Sequence, residues 1–141
     1  MNMLKAYEQT NRTTASPKQA LLLLYDHAII NLVQCEHIVS RNQGRGAYKH
    51  FNKAREIITG LANGLCYEGK LKEISSRLFS LYQYMMVKLS RVNLESGDAT
   101  ILTEVRGMLE ELREAWEKAQ PSPEISGREP AAQGTPAARP R

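Results

Sequence analysis

An all-α fold, an antiparallel up-and-down bundle of four long helices behind a short N-terminal segment, is predicted by three observations. No proline lies between Pro17 and Pro121, and an interior proline costs a helix about 3 kcal/mol. Four stretches of that proline-free span carry apolar residues at the helical period. The links between the stretches are short, so consecutive helices fold back on one another, and a bundle is the simplest way to bury four apolar stripes. At 141 residues the chain can build one core of ordinary size and not two.

Helix 1 is predicted to begin at Ser16-Pro17-Lys18-Gln19, with Ser16 as N-cap, Pro17 at the first helical position and Gln19 closing a capping box. Its apolar stripe is Leu21, Leu24, Tyr25, Ala28, Leu32, Cys35 and Val39, and it ends near Asn42, before Gly44 and Gly46. Helix 2 carries Ala47, Phe51, Ala54, Ile58, Leu61 and Leu65 at alternating four- and three-residue spacing, with Gly60 and Gly64 as its weak points. Helix 3 carries Leu71, Ile74, Leu78, Leu81, Met85, Leu89 and Val92 and ends near Ser96-Gly97. Asp98 is placed to cap helix 4, whose stripe is Ile101, Val105, Met108, Leu112 and Ala115. Glu110 with Arg113, or Glu114 with Lys118, is spaced for pairing on its outer face, and Trp116 is expected to be largely buried. The chain thus divides into a segment 1–15, a bundle 16–120 and a tail 121–141. The tail holds five of the six prolines and one branched aliphatic residue, Ile125, too little apolar surface to offset the entropy of ordering.

Composition excludes several classes. A hydrophobic fraction of 42% with 24% charged residues is that of a globular protein and not of a disordered or collagenous chain. No apolar run approaches the 18 or more residues of a membrane span. Met1-Asn2-Met3-Leu4-Lys5 has no secretory pattern, so the expected location is cytoplasmic. Cys35 and Cys66 are too few and too far apart for a disulfide framework and read as free thiols. Residues 1–120 hold 16 Lys or Arg against 13 Asp or Glu, and residues 121–141 hold 3 against 2. The positive charge is therefore expected to be spread and to serve solubility.

No catalytic, metal or cofactor site is expected. The residues three before His27, His37 and His50 are Leu24, Gln34 and Ala47, so the E-x-x-H pattern of a di-iron bundle is missing. Gly44 and Gly46 lack the Gly-Lys-Ser or Gly-Lys-Thr ending of a phosphate loop and no strand precedes them. No carboxylate and nucleophile set surrounds any histidine at helical spacing.

Apolar residues are present in excess. Beyond its core stripe, helix 1 carries Leu22, Leu23, Ile29, Ile30 and Val33, and helix 3 carries Phe79, Tyr82, Tyr84, Met86 and Val87. The surplus forms either a partner surface or a wide core or homodimer contact, and periodicity does not choose. Adjacent Met85 and Met86 suit an adaptable groove. The segment Met3 to Tyr7 is too short to fold alone. It either crosses an apolar groove with Leu4 and Tyr7 as anchors or is a frayed terminus.

The ordered residues resemble the flagellin-specific export chaperones of the FliS family. Tyr7, Thr14-Ala15-Ser16-Pro17, Leu24-Tyr25-Asp26 and Ala28-Ile29 resemble the family's N-terminal pattern. Lys53-Ala54, Ile57-Ile58 and Leu61 resemble its second helix, Leu78, Leu81-Tyr82, Tyr84-Met85 and Leu89 its third, and Val105, Leu109, Leu112-Arg113 and Ala115-Trp116 its fourth. His27, Arg77 and Cys66 depart from it, standing where glycine, asparagine and an acidic residue are common. The resemblance implies a helical bundle that binds the disordered C-terminal segment of flagellin in the cytoplasm, prevents early polymerisation, and brings it to the flagellar type III export gate, without catalysis.

Candidate client contacts are Leu4 and Tyr7 in the segment, Leu22, Tyr25, Ile29 and Ile30 in helix 1, Ile57 and Ile58 in helix 2, and Tyr82, Met85, Met86 and Leu89 in helix 3. A self-associating structural bundle is the alternative reading. A small basic nucleic-acid binder is a weaker one, since helix 2 offers only the short cationic run Lys49, Lys53 and Arg55. Oligomeric state stays open.

Overall fold

A computed structural model of the chain describes residues 16–119. The segment 1–15, with its anchors Leu4 and Tyr7, and the tail 121–141 lie outside the described residues. The architecture is all-helical: α1 (Pro17–Ser40), a 3₁₀ turn (Gly44–Ala47), α2 (Tyr48–Asn63), α3 (Leu71–Leu89) and α4 (Thr100–Lys118). Each helix packs against two neighbours. α1 touches α2 and α4, α3 touches α2 and α4, and the pairs α1/α3 and α2/α4 face each other across the diagonals. The predicted four-helix bundle is the fold.

The start of α1 follows its sequence signal. The Ser16 hydroxyl accepts from the Gln19 backbone N–H at 3.1 Å, and the Gln19 side chain accepts from the Ser16 N–H at 3.0 Å. The Lys18 ammonium donates to the Glu117 and Ala119 carbonyls at 2.8 and 3.1 Å, which ties the beginning of α1 to the end of α4 and fixes their antiparallel sense. At the other end Asn42 takes a left-handed φ of 59°, and Gln43 N–H returns to the Ile38 carbonyl at 3.1 Å. Gly44 then passes so close to the loop after α3 that an added Cβ would lie 1.8 Å from the Leu94 carbonyl oxygen.

The core stripes of α1 and α2 are close to those expected, with Leu24, Tyr25, Ala28, Leu32, Cys35 and Val39 facing Phe51, Ala54, Ile57, Ile58 and Leu61. α3 and α4 are rotated. On α3 the buried residues are Ser75, Leu78, Tyr82, Met85 and Leu89, so Ser75 and Tyr82 hold the places expected for Ile74 and Leu81. The reason is polar: the Ser75 hydroxyl donates to the Cys66 carbonyl, and the Tyr82 hydroxyl meets that of Tyr25, so neither buried oxygen goes unpaired. α3 also stops at Leu89, and Leu94 buries itself from the following loop. On α4 the fully buried positions are Leu102, Val105 and Leu109. Ile101, Met108 and Leu112 lie on the flank, and Ala115 is exposed.

Two further expectations are corrected. Arg113 does not pair with Glu110; it reaches Asp26 on α1 and Glu117, while Glu110 pairs with Arg106 at 3.0 Å. Glu114 and Lys118 do pair, at 3.0 Å. Trp116 is partly buried against the core, with its indole N–H on the Tyr25 hydroxyl, 3.1 Å away. Asp98 lies one residue ahead of the N-cap, Ala99; its carboxylate accepts from the Thr100 N–H at 2.9 Å and the Thr100 hydroxyl at 2.6 Å. Those two bonds, the hydroxyl first, hold its carboxyl below the ordinary value.

Candidate functional site

The two seams of α4 differ in how they close. Against α1, Arg106 grips Glu36 through two contacts of 2.5 and 3.2 Å, and two turns on Arg113 grips Asp26 in the same two-pronged way. Against α3 there is one polar clasp, at one end. Glu104 accepts from the Tyr84 hydroxyl at 2.8 Å and pairs with Lys88 at 3.2 Å, with the Lys88 ammonium 5.8 Å from the Tyr84 ring centre. The tyrosine hydroxyl, then the lysine, lower the Glu104 carboxyl from its ordinary value.

That clasp fixes which flanks of α3 and α4 face each other. At 3.6 residues per turn, Ile74, Leu81, Tyr84 and Lys88 share one flank of α3, and Glu104, Met108, Leu112 and Ala115 share one flank of α4. Counted antiparallel from the clasp, the helical register sets Leu81 level with Met108 and Ile74 level with Ala115. Ile74, Leu81 and Tyr84 are 46%, 37% and 45% exposed, and Met108 and Leu112 remain partly accessible. No hydrogen bond or ion pair crosses this stretch among the described residues. The seam thus leaves an apolar stretch, the α3/α4 groove, bounded by the clasp at its Glu104 end. Lys18 sits at the same end of the bundle as Trp116, through its bonds to Glu117 and Ala119.

The candidate contacts named from the sequence fall into three groups. Tyr25, Ile57, Ile58, Tyr82, Met85 and Leu89 are all buried; they present no accessible atoms in this conformation and act from beneath the surface as packing. Leu22, Ile29 and Met86 are half-buried, and Ile30 is exposed together with Val33, one turn away on the outer face of α1. Leu4 and Tyr7 lie outside the described residues. The sequence reading missed Ile74, Leu81 and Ala115 as surface, having assigned them to the core; Met108 and Leu112, also assigned there, do pack against it while keeping part of their surface accessible. The stripes 74/78/81/85 and 75/78/82/85 overlap, and only the polar partners of Ser75 and Tyr82 separate them.

Nothing in the groove supplies reactive chemistry. Its titratable groups form the clasp, and among the described residues no three His, Cys, Asp or Glu side chains gather to hold a metal. His50 meets the Asn31 amide at 2.9 Å on the outside of the α1/α2 seam. Among the described helices none is long and apolar enough to cross a membrane.

Comparison with known proteins finds similar chains. A family model described as flagellar protein FliS matches residues 1–123. The flagellar secretion chaperone FliS of Salmonella typhimurium is 35% identical over 123 residues, covering 84% of this chain and 90% of that protein. The Escherichia coli protein of the same name is 30% identical over 113 residues, 79% and 82% of the two chains. That of Bacillus subtilis is 27% identical over 118 residues, 84% and 86%.

Proposed function

The chain belongs to the FliS family of flagellar secretion chaperones, which are not enzymes, and from that premise we propose that it binds the disordered C-terminal segment of flagellin in the α3/α4 groove. The observation that carries this reading is the exposure of Ile74 and Leu81 on the flank of α3 that bears the clasp, with Met108 and Leu112 partly accessible on the clasp flank of α4. A client laying down an amphipathic helix would place residues at i, i+3/i+4 and i+7 against such a stripe. Ordering the client costs about 2–5 kcal/mol or more, and three or four buried aliphatic anchors at about 1.5–3 kcal/mol each offset that. Binding keeps the polymerising segment occupied in the cytoplasm until delivery to the flagellar type III export gate.

The N-terminal segment belongs to the same proposal. In this reading Leu4 and Tyr7 cover the apolar surface when no client is present, and a client displaces them; the bonds from Lys18 to the end of α4 support it by setting Ser16 at that end of the bundle. Titration of the full chain with a flagellin C-terminal peptide tests the reading: one-to-one binding with a negative heat-capacity change and a gain of peptide helix is expected. Absence of both changes contradicts it.

A further inference from the structure

The positive charge is gathered, contrary to the even spread expected from the sequence. Residues 41–63 hold five Lys or Arg and one Glu, a balance of +4 that equals the formal net charge of the whole chain. Arg41, Arg45, Lys49 and Lys53 recur every four residues across the turn and α2, and all are exposed. Lys53 has a loose contact with Glu56 at 3.8 Å; the other three make no ion pair among the described residues. Beside Arg45 lies a cleft of about 580 Å³, lined by Ile38, Asn42, Gln43, Arg45 and Glu95 among others. α2 has no close backbone contact with α4, and the cleft reaches Glu95 in the α3–α4 loop, at the clasp end of the bundle and away from the Trp116 end.

The geometry points to a second docking face here, for an acidic helical segment of another protein that binds independently of the groove. On an α-helix a four-residue repeat advances about 6 Å, so carboxylates at i and i+4 of a partner helix match Lys49 and Lys53 in spacing as well as sign. The cleft, with Ile38 on its wall and amide side chains at its rim, takes a protruding side chain from the same partner. A nucleic acid fits less well. Its charge is continuous, and Glu56 at one end of the cationic run and Glu95 in the cleft at the other repel a polyanion, whereas a protein helix sets basic residues opposite them.

The test uses the full chain and a labelled twenty-residue helical peptide with Glu at every fourth position, followed by fluorescence anisotropy at low salt. A duplex DNA of twenty base pairs is the competing probe. The variant Arg45→Glu/Lys49→Glu/Lys53→Glu is expected to weaken peptide binding at least tenfold, while the control Lys70→Glu/Lys72→Glu/Arg91→Glu weakens it less than threefold. Circular dichroism checks that both fold, and the milder Lys49→Gln/Lys53→Gln, expected to lose at least threefold, replaces the reversal variant if that one does not. Tighter binding to the duplex than to the peptide, an equal loss in the control, or losses below these limits overturns the assignment.

Discussion

The hydroxyl groups of Tyr25 and Tyr82 lie 2.5 Å apart and join α1 to α3 across the bundle's diagonal, where the two helices have no close backbone contact. Trp116 on α4 donates to the same Tyr25 oxygen, so one phenol ties three helices. Burial raises both phenols above their ordinary value, which keeps them protonated and able to donate. Tyr25→Phe leaves the buried Tyr82 hydroxyl and the part-buried Trp116 N–H without this partner and is expected to cost about 1–3 kcal/mol. Tyr82→Phe removes one bond and costs less. Urea unfolding of both variants checks the order; equal losses contradict it.

Gly44→Ala is expected to destabilise the fold by about 1–3 kcal/mol or more, because the new methyl collides with backbone at Leu94 and not with a flexible side chain. Gly107→Ala, with nothing within 4 Å of the added carbon, is the matched control and is expected to be neutral or slightly stabilising, as helix propensity favours Ala by up to about 1 kcal/mol. Thermal melts of the two decide it.

Most of the fold was legible in the sequence because its signals are local. The Ser16 capping box, Pro17 and the long proline-free span mark α1 and the helical class, and the structure repeats them. The rotation of α3 and α4 was not legible, since Leu81 and Tyr82 are both plausible core residues by periodicity. What places Tyr82 inside is a hydroxyl 57 residues earlier in the chain. The groove followed that error: once Ile74 and Leu81 are assigned to the core, the surface they form disappears. The basic face was read only in part, as the short run Lys49, Lys53 and Arg55, because counting charge over residues 1–120 averages a cationic stretch with balanced neighbours.

Met85 and Leu81, four residues apart on α3, are expected to separate stability from recognition. Met85 is fully buried, and Met85→Ala should cost about 2–5 kcal/mol. Leu81→Ser, on the groove flank, should cost less than about 1 kcal/mol while weakening the client. Chemical denaturation alongside client titration checks the split, which fails if Leu81→Ser unfolds as easily as Met85→Ala.

The two thiols are expected to differ in reactivity. Cys66 is exposed and Cys35 buried, where desolvation first and the nearby Glu36 second push the Cys35 thiol up to about 12. A pKa raised by folding contributes stability below the unfolded value, lost as pH climbs from there toward the folded one. At pH 8 a thiol reagent should therefore label one cysteine rapidly and the second only in denaturant. Two fast thiols in the native protein contradict the burial of Cys35.

The central claim is that the α3/α4 groove receives the client, and the most direct measurement is calorimetric titration of a flagellin C-terminal peptide into Ile74→Asp/Leu81→Asp beside the unaltered chain. Charges on that flank leave the core untouched but place carboxylates where client side chains would be buried. The account predicts an unchanged helical spectrum, at least a tenfold weaker affinity and a smaller heat-capacity change. The same affinity and heat-capacity change in the variant as in the unaltered protein would contradict it.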